Sequence, residues 1–127
     1  MTHAVLTYVG DKILALVVNT PTDDLSPSEQ IKLLATAQRK LIETEPDVQK
    51  VFMNWSVTFA ENVRPLFISY QTMLIDELAE RMPQTGDSRS LARILLAMAE
   101  ALGKMTFDNV DPATMEKFVE WIETALE

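Results

Sequence analysis

Most of the chain repeats one pattern, in which a helix-start signal is followed by apolar residues three and four positions apart. Ser26 can cap a helix, Pro27 suits the first helical position, and Glu29 can close a capping box. The segments 44–47 (TEPD) and 111–112 (DP) are further starts of this kind. Because a helix gathers residues three and four apart on one face, the pattern predicts a mainly helical fold.

These signals predict a compact bundle of about five helices over residues 26–127, and the whole chain, 1–127, is predicted to form a single domain. The first helix runs from Ser26 to about Thr44. Pro65 is expected to break or kink the helical stretch that follows. Residues 83–87 are predicted to form a loop, and Gly103 is expected to end the next helix.

The N-terminal segment 1–19 carries a competing signal. Residues 4–9 and 13–19 are rich in β-branched residues and flank Gly10-Asp11-Lys12, which is typical of a β-hairpin with a three-residue turn. A helix over residues 2–18 is the alternative, because Leu6, Val9 and Ile13 also fall on one helical face. The hairpin is slightly favoured, and it would have to pack on the helices.

Residues 50–70 fit two patterns. Apolar residues recur there with helical spacing, yet residues 51–59 and 66–70 also alternate as strands would. Helix is preferred, and the alternative is an α+β fold with a small antiparallel sheet that includes the hairpin. Most of the chain's aromatic residues lie in this run and are expected to form the centre of the core, with an apolar groove or a dimer surface as the alternative: Phe52, Trp55, Phe59, Phe67 and Tyr70.

Composition excludes several classes of function. The chain has no cysteine, which removes disulfides and thiolate metal sites, and its one histidine, His3, cannot supply a histidine-based catalytic centre. The net charge is −8 and the basic residues are scattered, so direct binding to nucleic acid or to an anionic membrane is not expected. With no leader or membrane-spanning segment visible, we expect a soluble cytoplasmic protein without a cofactor.

The last predicted helix carries the clearest candidate site. Its apolar stripe consists of Met115, Phe118, Val119, Ile122 and Leu126. On another side lie four glutamates that we name the acidic ridge: Glu116, Glu120, Glu123 and Glu127. These like charges repel one another, so the ridge has a local electrostatic cost. Asp108 and Asp111 precede the helix, and residues 105–127 hold six acids and one base, a net charge of −5.

The acidic ridge has two interpretations. It is either a docking surface for a basic protein surface or a solvated face that keeps the protein in solution, and charge runs more often have the second role. Trp121 lies beside the apolar stripe, on the flank opposite the glutamates, where it could anchor a partner or lie half-buried in the core.

Two E-x-x-E pairs are a further candidate. Glu77 with Glu80 and Glu120 with Glu123 resemble, in spacing alone, the Mg²⁺-binding carboxylates of all-helical nucleotide pyrophosphohydrolases. That resemblance implies a Mg²⁺-dependent nucleotide hydrolase. It covers a few residues, and no cluster of lysines or arginines is placed to hold a triphosphate.

The sequence therefore favours a non-enzymatic interaction module, such as an adaptor, an assembly chaperone or an inhibitor. Its partner would be a protein with a basic surface, and in a sharper version the ridge would mimic nucleic acid. The alternatives are a homo-oligomeric structural subunit, built on the apolar central helices, and the nucleotide hydrolase.

Overall fold

The described part of the chain forms six α-helices. The computed structural model describes residues 3–21, 23–82 and 87–126. In chain order the helices are α1 (His3–Asn19), α2 (Pro27–Thr44), α3 (Pro46–Ser56), α4 (Arg64–Glu80), α5 (Ser88–Phe107) and α6 (Pro112–Leu126). These residues contain no strand, so the mainly helical prediction is confirmed. The predicted loop 83–87 lies, except for Asp87, outside the described residues.

The predicted N-terminal hairpin is wrong, because residues 3–19 form the single helix α1. Gly10 does not make a turn. It lies in the middle of the helix, where a Cβ atom would be only 2.7 Å from the ring atoms of Tyr70. The glycine therefore lets the aromatic ring lie directly against the helix backbone. The apolar residues keep their helical spacing and face the core, and this packing outweighs the β-propensity of the segment.

The start of α2 follows the sequence prediction closely. The backbone N–H of Glu29 donates to the Ser26 hydroxyl at 3.2 Å, and the Glu29 carboxylate accepts from the Ser26 backbone N–H at 3.4 Å. With Pro27 in the first turn, this is a complete capping box.

Residues 46–80 form two helices, so the α+β alternative is wrong. Helix α3 ends at Ser56, and α4 begins at Arg64 with Pro65 in its first turn. Pro65 thus marks a helix start rather than a kink, because the first turn needs no N–H at that position. The indole N–H of Trp55 donates to the Val63 carbonyl at 3.0 Å and fixes the turn between the helices.

Helix α5 continues through Gly103 to Phe107, so the predicted stop at Gly103 is wrong. Gly103 is buried, and a Cβ atom there would lie 2.9 Å from the side-chain nitrogen of Gln49 and 3.2 Å from that of Gln38. Both predicted glycine breaks, at 10 and 103, are instead places where a neighbouring side chain approaches the helix closely.

The core is centred on the aromatic run, as expected. Trp55 lies 5.5 Å from Phe67 and 5.8 Å from Tyr70 between ring centroids, and Phe52 packs against both Trp55 and Phe67. Phe59 is the exception. It is mostly exposed, and the guanidinium of Arg64 lies 4.2 Å from the centre of its ring.

Helix α6 lies at the edge of this core. It packs mainly on α2, and none of its described side chains is fully buried. Four residues of the predicted apolar stripe are half-buried against the core: Met115, Phe118, Val119 and Ile122. The side chain of the fifth, Leu126, is outside the described part of the chain.

Candidate protein-binding cleft

The connection from α5 to α6 uses both aspartates of the candidate site. Asp108 pairs with Lys104 one turn earlier, at 2.5 Å. The Asp111 carboxylate accepts a hydrogen bond from the Thr114 hydroxyl at 2.5 Å, at the start of α6. Between them, Asn109 adopts a positive φ of 59°, which an asparagine tolerates better than most residues. Both aspartates are exposed, but their nearest role is to shape this turn.

The structure divides the acidic ridge. Glu116 and Glu120 are exposed and form no ion pair with any residue of the described chain. The Glu123 carboxylate, by contrast, lies 3.7 Å from the Lys32 ammonium of α2, and its side chain is only 14% exposed. Glu127 lies outside the described residues. Two free carboxylates and one paired carboxylate therefore follow one another along α6.

The free glutamates line a cleft of about 470 Å³ between α2 and α6. Lys32, Thr36 and Arg39 form the α2 wall, and Glu116, Glu120 and Glu123 form the α6 wall. Each wall has the spacing i, i+4 and i+7, so each is one helical face. The floor between the walls is largely apolar and consists of Ala35, Ile42, Leu102, Met115 and Val119.

This arrangement suits a ligand that is both apolar and charged. The floor offers apolar surface to bury, while Glu116 and Glu120 of the α6 wall offer carboxylates that a cation can reach without first displacing a partner. The Lys32–Glu123 pair holds the two walls together. Because the Lys32 side chain is 67% exposed and the two charged atoms are 3.7 Å apart, the pair's own contribution to stability is expected to be small.

Trp121 does not line the cleft. It lies on another side of α6 and is 75% exposed, the largest exposed fraction among the exposed large apolar residues. The acidic ridge and the exposed indole are thus both on α6, but they lie on different sides of it.

The α2 wall is the part of the site that sequence reasoning missed. Lys32, Thr36 and Arg39 stand on the polar face of α2, and nothing local distinguishes them from solvated residues. The signal available was their common i, i+4 and i+7 spacing. Its meaning depends on α6 packing alongside, which the sequence pattern does not specify.

Three ionisable side chains in the described structure have a shifted pKa, and they do not form one centre. Hydrogen bonding and charge attraction to Glu45 raise the pKa of Lys12. Burial, followed by the hydrogen bond to Asp11, raises the pKa of Tyr70. Burial raises the pKa of Glu100 on α5.

The predicted carboxylate pairs lie beside bases. Glu77 is 3.6 Å from Arg81, and Glu123 of the second pair is the residue bound by Lys32. No group of three histidine, aspartate or glutamate side chains within residues 3–21, 23–82 and 87–126 is placed to hold a metal ion. His3, the single histidine, lies 3.3 Å from the Asn62 carbonyl oxygen.

Comparisons with protein-family models, curated proteins and solved structures find no match for this chain. Among the described helices, none combines the length and apolar character needed to cross a membrane.

Proposed function

We propose that the protein is a non-enzymatic interaction module whose cleft between α2 and α6 binds a basic, amphipathic segment of a partner protein. The observation that carries the proposal is the position of Glu116 and Glu120, two exposed and unpaired carboxylates beside an apolar floor. Lysine or arginine side chains of the segment would pair with them, and an apolar side chain would cover Val119 and Met115. The proposal keeps the cytoplasmic setting expected from the sequence.

Charge and shape both support this choice of partner. The protein's net charge of −8 draws a basic segment toward it and repels polynucleotides. The floor is bordered by a polar wall on each side, which is the form of a groove that accepts an amphipathic helix or an extended peptide. A fully apolar partner would leave Glu116 and Glu120 without cations, and a purely basic one would leave the floor uncovered.

The structure favours a peptide segment over the nucleic-acid mimic considered from the sequence. A mimic presents a row of unpaired negative charges, whereas Lys32 already neutralises Glu123 and Arg39 stands on the opposite wall. Within the described part of α6, two glutamates remain free. A polynucleotide that displaces the partner from the cleft would reverse this preference.

The test compares three versions of the full chain as baits in a lysate of the native host. The variant Glu116→Lys with Glu120→Lys reverses the two free carboxylates of the cleft. The control, Glu61→Lys with Glu80→Lys, makes the same change in net charge at exposed glutamates outside it. Circular dichroism first establishes that all three baits keep the same helix content.

A protein held by the natural chain and the control, lost with the cleft variant, and released by moderate salt would support the proposal, because salt screens such pairs. Binding of that protein should also fall when Val119 becomes Asp, which adds a charge to the floor. A partner held equally by all baits would refute the cleft as its binding site. A natural chain that captures nothing, and that light scattering shows to be a stable dimer, would favour the homo-oligomeric alternative.

A further inference from the structure

A second cavity, which shares only Gln38 with the lining of the cleft, lies among five helices. Its volume is about 60 Å³, and α1 to α5 each contribute to its wall. Most of the lining is apolar, with Ile13, Leu34, Phe52, Leu74 and Leu95 among the side chains that face it. Cavities of this kind inside well-packed proteins are few, and an apolar one with a small number of polar groups is the usual form of a ligand site.

One ionisable residue, Glu100, stands among the described residues that line this cavity. It is half-buried and forms neither a hydrogen bond nor an ion pair with another described residue, and burial alone accounts for its raised pKa. A carboxylate removed from water normally gains a partner that offsets the lost hydration. Glu100 has no such partner among the described residues.

Gln38 gives an independent observation at the same place. Its side chain lines the cavity and is only 6% exposed. The side-chain nitrogen donates to the Ala99 carbonyl at 2.5 Å, which ties the amide to the residue next to Glu100. The side-chain oxygen, however, is buried without a hydrogen-bond donor. Two acceptors that line one cavity, a carboxylate and an amide oxygen, are thus both without a donor.

We propose that this cavity is a binding site for a short-chain primary alkylammonium ion. The alkyl chain would occupy the apolar interior, and the ammonium group would donate to the half-buried Glu100 carboxylate where the cavity meets solvent. A further N–H of the same group supplies the donor that the Gln38 amide oxygen lacks. This site is distinct from the proposed peptide cleft and does not depend on it.

The size and charge of the site define the ligand class. A protein cavity of about 150 Å³ accepts benzene, which has six carbons, so 60 Å³ leaves room for an alkyl chain of about two carbons. An ammonium group carries three donors and a positive charge. These match the ionised carboxylate of Glu100 and the neutral amide oxygen of Gln38. An alcohol offers one donor and no charge, and a carboxylic acid would bring a second negative charge to Glu100.

The experiment measures binding of ethylammonium chloride to the full chain in amine-free phosphate buffer at neutral pH. Thermal unfolding and isothermal calorimetry give the affinity, while methyl NMR spectra report which side chains the ligand contacts. We expect saturable binding, shifts centred on Leu34, Leu74 and Leu95, and an affinity about tenfold above that of ethanol, since a charged donor adds that much. Sodium chloride at equal concentration should produce neither the saturation nor these shifts.

Two variants make the test specific. Glu100→Gln removes the charge with little change in shape and should lower ethylammonium affinity about tenfold, to that of the alcohol. Glu43→Gln, the same change at an exposed glutamate of α2, should leave affinity unchanged. Equal binding of ethylammonium and ethanol, an unchanged affinity in Glu100→Gln, shifts located elsewhere, or no saturable binding would each overturn the proposal. Because natural-protein NMR shifts locate the ligand, the test holds even if a variant unfolds.

Discussion

The two tryptophans lie in opposite environments, one in the packed core and one on the exposed outer helix α6. Trp55 is 0% exposed, contacts three aromatic rings and donates its indole hydrogen to a backbone carbonyl. Trp121 is 75% exposed on the outer helix α6. Trp55 is therefore held in place by the side chains packed around it, whereas Trp121 has few neighbours that restrict its side chain. Stability is therefore expected to reside around Trp55, and surface recognition around α6.

Polar groups also differ in their role between the core and the cleft. In the core, Tyr70 donates to Asp11 at 2.8 Å, and the side-chain nitrogen of Gln30 donates to the carbonyls of Leu25 and Arg81, whereas its side-chain oxygen has no donor. At the cleft, Glu116 and Glu120 remain unpaired and exposed. Unpaired charges cost little in water and become useful once a partner supplies the opposite charge.

The largest expected effect separates the two tryptophans directly. Trp55→Ala should lower the free energy of unfolding by about 3–5 kcal/mol, because it leaves a cavity among packed rings. Trp121→Ala should change it by no more than about 0.5 kcal/mol, as is usual at exposed positions. Urea unfolding followed by circular dichroism measures both. Similar losses in the two variants would show that α6 is part of the cooperative core.

A smaller effect is expected at the two helical glycines. Gly10→Ala should destabilise by about 1–3 kcal/mol, because its methyl group would overlap the packed ring of Tyr70. Gly103→Ala should stay within about 1 kcal/mol of the natural chain, since the gain in helix propensity offsets small shifts of two glutamine side chains. Urea midpoints compare the two. A stabilised Gly10→Ala variant would contradict the close packing of Tyr70.

The smallest effect concerns the pH dependence of stability. Burial raises the Glu100 pKa above its ordinary value of 4.5, so the folded state holds this proton more tightly than the unfolded state. The resulting stabilisation is present below that value and is lost as pH rises through the raised pKa. Glu100→Gln should therefore be more stable than the natural chain at pH 7 and lose this advantage near pH 4.

Glu116→Gln supplies the exposed comparison for this measurement. Its urea midpoint should follow that of the natural chain at both pH values to within about 0.5 kcal/mol, as for most surface substitutions. If Glu100→Gln behaves in the same way, burial does not disfavour the charged form of Glu100, and the contrast between the two glutamates is lost.

Helix starts were the most predictable features of this fold. The capping residues at Ser26 and the prolines at 27, 46 and 112 act within a single turn, so they can be read without knowing the tertiary structure. The aromatic core was predictable for a similar reason, because large apolar residues with helical spacing need a common interior. Phe59 was the exception: it is 73% exposed, and the described structure places the Arg64 guanidinium against its ring.

The candidate site was only partly predictable. The position of the acidic ridge along α6 follows from helical periodicity alone, whereas its pairing with Lys32 and the wall opposite it depend on how α6 packs on α2. The cavity beside Glu100 depends on five helices at once. No pattern within one segment carries that information.

The sequence by itself determined where most helices begin, which faces are apolar and how strongly acidic the surface is, because these depend on local hydrogen bonding, periodicity and charge. The tertiary structure alone decided the roles of Gly10 and Gly103. A glycine in isolation favours a turn or a helix end, but close approach of the Tyr70 ring or of the Gln49 amide makes it the residue that fits inside a helix. That preference comes from side chains distant in sequence, which only the folded chain brings together.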